Sequence, residues 1–128
     1  MNFNISFIDI SGEKYPVFYG MYGLRKVVES CEFDTLGDFF NYISSLNFND
    51  VNSFKPKDIE VIERLAHEGF LVGAEMESKE YPFALPQTSA IIWSEKGILE
   101  DIMNAFSESM PQGEDPKKAK GGRAAKKG

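Results

Sequence analysis

The stretch Lys57–Gly73, KDIEVIERLAHEGFLVG, carries the longest single period in the chain. Ile59, Ile62, Leu65, Ala66, Gly69 and Phe70 recur at steps of three and four, which places them on one stripe of a helix. Glu60, Glu63, Arg64 and His67 fall between them and are expected to face water. Pro56 suits a first turn, where its missing N–H has no partner to lose, and Asp58 favours the positive end of the helix dipole. Gly69 and Gly73 read as the far end, with fraying near Phe70, because a glycine inside a helix costs about 1 kcal/mol relative to alanine. The same two glycines match small-xxx-small spacing, which outside an apolar span says almost nothing. A helix of this length is not stable alone, so the segments on either side must cover its apolar stripe.

Upstream, Phe3, Ile5 and Phe7 alternate with Asn2, Asn4 and Ser6, and the phase slips at Phe7–Ile8 to continue as Ile8 and Ile10. Ser11 and Gly12 signal a turn before a second β-prone run, Tyr15 to Tyr19, so residues 2–19 read as a hairpin. Pro16 has no N–H for a ladder, and that side of its strand should face away from the paired neighbour. Helices are predicted at about 21–31 (Met21, Leu24, Val27 and Val28 inward) and 35–45 (Leu36, Phe39, Phe40 and Ile43 inward, capped by Asp34 or Thr35).

Downstream, Ser78, Pro82 and Pro86 preclude a long helix and leave an extended connector. Helices follow at about 87–94 and 98–110, separated by Gly97, the last with Ile98, Leu99, Ile102, Met103, Ala105 and Phe106 on its stripe. With 57–73 this makes an α+β fold, a mainly helical single domain over residues 1–110 with an N-terminal β-hairpin. Residues 111–128 contain no large apolar side chain and read as a disordered basic C-terminal tail.

The whole chain has 128 residues, and its net charge of −6 conceals an asymmetry. Over residues 1–110, 8 Lys and Arg stand against 18 Asp and Glu, a net −10; over 111–128, 6 stand against 2, a net +4. An acidic body repels phosphate backbones, so nucleic acid is an unlikely partner for the folded part. Lys117, Lys118, Lys120, Arg123, Lys126 and Lys127 could make salt-sensitive phosphate contacts, but no aromatic residue lies among them to stack on a base. One cysteine, Cys31, excludes an internal disulfide and every multi-cysteine zinc signature. No signal-like start and no membrane-length apolar run is present, so a soluble, cytoplasmic protein is expected.

Chemistry is sparse. Glu63 and His67 share a helix face but supply only two metal ligands, and a solvated histidine is the plainer reading. Cys31 has no identifiable base, no G-x-S-x-G elbow exists, and the carboxylates look like ordinary solvated helix faces. The glycines make no phosphate cradle. No catalytic residue, cofactor or metal is therefore expected, and the chain reads as a non-enzyme. Eleven phenylalanines and five tyrosines are more than a small core needs, so some should mark a partner surface. The candidates are Phe39, Phe40, Phe70, Leu71, Trp93 and Phe106.

The run EKYPVFYGMYGLRKVVE (Glu13 to Glu29), LAHEGF at Leu65 to Phe70, SKEYPFALPQTSAIIW from Ser78, and the close ILEDIMNAFSESMPQ from Ile98 resemble the small tail assembly chaperones of tailed bacteriophages and prophages. The likeness is one of residue type and order over nearly all of residues 1–112. It implies a non-enzymatic chaperone that binds the tape measure protein and keeps it soluble while the tail assembles, acting in the host cell cytoplasm and absent from the mature virion. Tail tube subunits and a second copy of the chain are further partners it leaves open. Two other readings stand beside it: a structural head or tail completion protein, and a small nucleic-acid-associated regulator that uses the basic tail.

Overall fold

The computed structural model describes residues 3–108, so the expected tail and the last two residues of the final predicted helix lie outside the described residues. An antiparallel hairpin, β1 (Ser6–Ile10) and β2 (Glu13–Val17), is followed by five helices. These are α1 (Gly20–Cys31), α2 (Leu36–Ser44), α3 (Pro56–Met76), α4 (Leu85–Ser94) and α5 (Lys96–Glu108), with a single 3-10 turn, Val51–Ser53, before α3. The fold is α+β and mainly helical.

Ser11 and Gly12 turn the hairpin with φ of 55° and 89°, the two positive values that a tight two-residue turn of this hand requires. Gly12 N–H donates to Asp9 Oδ1 at 2.7 Å and closes it. The strand begins later than its alternation suggests. Ile8 and Ile10 set the buried face, while Phe3 and Phe7 are exposed, so the phase after the slip, and not the one before it, is the structural one.

α3 is the axis of the molecule, with contacts to β2, α1, α4 and α5. Its apolar stripe sinks Val61, Ile62, Leu65, Ala66 and Phe70 into one continuous core shared with both strands and all the other helices. Ile59, assigned to that stripe, is only half-buried. The helix neither frays at Phe70 nor stops at Gly73: it runs to Met76, and Phe70 is fully buried. The glycines are explained by what approaches them. A Cβ at Gly69 would collide with the Tyr19 phenol, and one at Gly73 would collide with the Pro16 carbonyl of β2. Tyr19 O–H donates to the Leu65 carbonyl at 2.8 Å, and Phe18 N–H donates to the Gly69 carbonyl at 3.1 Å, so the strand is laid directly along the helix backbone. α3 ends instead on Ser78, held at φ 55° while Lys79 N–H reaches back to the Ala74 carbonyl at 2.9 Å.

Three further corrections concern the other helices. Met21 is exposed on α1, whose core face is Gly23, Leu24, Val27 and Cys31. Pro86 does not precede α4 but lies in its first turn, where proline is tolerated, and Gln87 Oε1 accepts from Ala84 N–H at 2.8 Å to cap it. Gly97 lies inside the first turn of α5, and the break between the last two helices falls at Glu95. At α2, Thr35 is the cap, its hydroxyl accepting from Asp38 N–H at 3.0 Å.

Candidate functional site

The aromatic residues separate into those that build the core and those that leave it. Phe39 and Phe106 are buried, stacked edge to face 6.1 Å apart between α2 and α5, and Phe106 also meets Tyr19 at 5.4 Å. Phe70 lies flat beneath Tyr81, with centroids 4.6 Å apart and planes 2° from parallel. These three candidates are packing residues and present no surface. Phe40 and Leu71 are half-buried, with Phe40 set against Phe106 at 6.2 Å. Phe39, Phe40 and Phe106 cluster, but the six candidates do not share one surface: of them, only Trp93 lines an open groove formed with α5.

That groove has a volume of about 620 Å³ and lies between the end of α4, one face of α5 and the loop before α3. Its walls are Ile92, Trp93 and Ser94 from α4; Leu99, Glu100, Met103 and Asn104 from α5; and Phe48, Asn49 and Val51 from the loop. The α5 residues recur at steps of one, three and four because they occupy the flank of the helix next to its buried stripe of Ile98, Ile102 and Ala105. Val51 is 48% exposed on the 3-10 turn. Phe48, Val51, Leu99 and Met103 were not among the sequence candidates. The available signal was the pair Leu99 and Met103, four residues apart at the edge of the α5 stripe, but a stripe edge looks like core until its neighbours are placed.

Trp93 is fixed by a polar seam between α3 and α4. Glu63 Oε2 accepts from Trp93 Nε1 at 3.1 Å and from Ser89 Oγ at 2.5 Å. One turn on, Thr88 Oγ1, fully buried, lies 3.0 Å from His67 Nδ1 and 2.7 Å from the Tyr81 hydroxyl. Glu63 and His67, expected to face water, are therefore half-buried and turned to α4. Burial holds the His67 pKa below its ordinary value, with Arg64 adding to the effect, and burial pushes the Tyr81 hydroxyl up to about 12. A neutral imidazole accepting at Nδ1 completes a chain in which Tyr81 donates to Thr88 and Thr88 donates to His67.

Cys31 is buried with Sγ 4.0 Å from the Val61 carbonyl, and burial raises its thiol to about 11. Tyr42 donates to Asp58, whose other oxygen accepts from Lys55 N–H at 2.9 Å; the Tyr42 bond and then the Lys55 bond hold the Asp58 carboxyl below the usual range. This is an anchor for the start of α3. Among the described residues no three His, Cys, Asp or Glu side chains converge on a point where a metal would sit. Among the same residues no helix is long and apolar enough to cross a membrane. Comparison of the chain with family models, curated proteins and solved structures returns no match.

Proposed function

We propose that this chain is a non-enzymatic tail assembly chaperone of a tailed bacteriophage or prophage, binding the tape measure protein in the host cell cytoplasm and leaving before the virion is complete. The observation that carries the reading is an open groove lined by Trp93, Leu99, Met103, Phe48 and Val51 on a body with net charge −10. An amphipathic client helix fits such a groove through side chains spaced at three and four residues, and a thioether such as that of Met103 adapts to differing sequences. The acidic exterior keeps the chaperone soluble while it holds an apolar partner. The order of sequence patterns from Glu13 to Gln112 supports the same reading.

The test is co-expression of the tagged chain with the neighbouring tail genes and mass spectrometry of what co-purifies, repeated with Val51→Glu and Trp93→Ala. Val51 is exposed, so introducing a carboxylate there leaves the core untouched. Recovery of a long helical tail protein by the wild type, lost in both variants while circular dichroism is unchanged, is the expected result. The chain persisting in purified virions would favour the completion protein. Recovery of nucleic acid alone would favour the regulator.

A further inference from the structure

β1 is an edge strand whose outward backbone groups are bare among the described residues. The two-residue turn closes on the Ile10–Glu13 pair, so in the alternation of an antiparallel ladder Ile8–Tyr15 and Ser6–Val17 exchange hydrogen bonds, and the N–H and C=O of Phe7 and Asp9 point away from β2. On β2 the corresponding outward groups meet α3, as the Phe18 bond to Gly69 and the seating of Pro16 on Gly73 show. On β1 the four outward groups of Phe7 and Asp9 have no hydrogen-bond partner among the described residues. The Phe7 side chain is 47% exposed. Edge strands are ordinarily guarded by charge, proline, a bulge or shortness; β1, Ser-Phe-Ile-Asp-Ile, is short but has neither proline nor bulge, and its single charge, Asp9, lies across from Lys14.

We propose that β1 pairs antiparallel with β1 of a second copy of this chain, with Ile8 on the two-fold axis, to make a four-stranded sheet. The proposal stands independently of the groove and its client. In this register Phe7 lies opposite the second copy's Asp9, and the four bare N–H groups meet the four bare carbonyls. Setting Phe7 opposite Phe7 would call on Ile5 N–H, which already donates to the Phe3 carbonyl at 2.9 Å. Setting Asp9 opposite Asp9 would oppose two carboxylates, which is unfavourable in a cross-strand pair. Charge selects a second copy over a basic strand. Asp9 already lies across from Lys14 in the hairpin, and Lys79 Nζ lies 5.9 Å from the Phe7 ring, so this edge is locally balanced although the body is acidic. The edge therefore asks no positive charge of its partner, and the two Phe7 rings come within diagonal reach across the new pair.

Sedimentation equilibrium of the full chain, from micromolar to millimolar concentration, tests this with Phe7→Pro and Phe7→Glu alongside the wild type. Proline at 7 removes an outward donor and leaves the β1–β2 bonds in place; glutamate at this exposed site sets a carboxylate opposite the second copy's Asp9 without entering the core. The expected result is a concentration-dependent wild-type dimer whose association weakens by about tenfold or more in Phe7→Pro, as the loss of two interfacial hydrogen bonds requires, and weakens also in Phe7→Glu, where like charges face each other across the new pair. If Phe7→Pro is poorly folded, Phe7→Glu decides alone. A wild type that stays monomeric throughout, a dimer indifferent to Phe7→Glu, or an edge occupied only when a client strand is added would overturn the proposal.

Discussion

Gly73 of α3 lies against the carbonyl of Pro16 in β2 so closely that no side chain fits between them. The helix and the strand meet there backbone to backbone. Gly73→Ala is therefore expected to destabilise the fold by about 3 kcal/mol, the upper end for overpacking, despite alanine's advantage of about 1 kcal/mol as a helix former. Urea unfolding followed by circular dichroism checks this. A neutral or stabilising result would mean that β2 stands off from α3 in solution.

Two helices stop on residues that are not glycine yet adopt the left-handed conformation: Glu32 after α1, at φ 63°, and Ser78 after α3, at φ 55°. Both are exposed. Glu32→Gly and Ser78→Gly are each expected to raise stability by about 1 kcal/mol, the strain of a side chain in that region. Glu32 lies beside the start of the 21-residue α3, where Lys57 Nζ donates to the Cys31 carbonyl, and Ser78 follows its other end, so the gains in a double variant should add when read from denaturation midpoints.

Trp93, the only tryptophan, reports on the polar seam directly. Glu63→Ala leaves Trp93 Nε1 and Ser89 Oγ without their shared acceptor. The expected outcome is a loss of about 1 kcal/mol, since the site is half-buried, together with a red-shifted tryptophan emission as the indole loosens toward water. Glu63→Gln retains an acceptor and should sit between the two. Emission unchanged in Glu63→Ala would show that packing alone holds the ring.

The half-buried His67 makes stability fall on acidification. Its folded pKa is depressed by burial, so the unfolded chain takes up a proton first. Stability is therefore unaffected well above the ordinary histidine value, declines as the pH drops through it, and stops declining from this source below the lowered folded value. Glu68 acts with the opposite sign at lower pH: burial raises its carboxyl, so its contribution is lost as the pH rises through the carboxylate range. His67→Asn keeps an acceptor near the Nδ1 position and does not titrate. Thermal unfolding between about pH 5 and about pH 7.5 should show a smaller pH slope in this variant than in the wild type.

Much of the architecture was legible in local pattern. The spacing of Ile62, Leu65, Ala66 and Phe70 fixes α3, and the Ser11–Gly12 pair fixes the hairpin. What failed was what depends on a distant neighbour. Gly69 and Gly73 look like helix breakers unless one knows that Tyr19 and Pro16 come to rest on them. Met21 fits the α1 stripe by period but lies at its solvent edge, and Phe3 and Phe7 alternate convincingly yet stay about half-exposed, on the face away from the core. The site was read less well for the same reason. Aromatic identity alone does not mark a surface: Phe39 and Phe106 pair with each other and Phe70 stacks on Tyr81, all three buried. The groove walls come from three separate segments, and no single segment reveals a concavity.

The two glycines of α3 place different constraints on how this sequence can diverge. At position 69 the obstacle is a side chain, the Tyr19 phenol, so a lineage can acquire alanine there if position 19 shrinks in company with it. The two positions should be inherited as a pair. At position 73 the obstacle is the peptide backbone of β2, which every sequence carries, and no partner substitution can make room. Among homologous chains sharing this packing, position 69 is free to drift jointly with 19, while position 73 has nowhere to go.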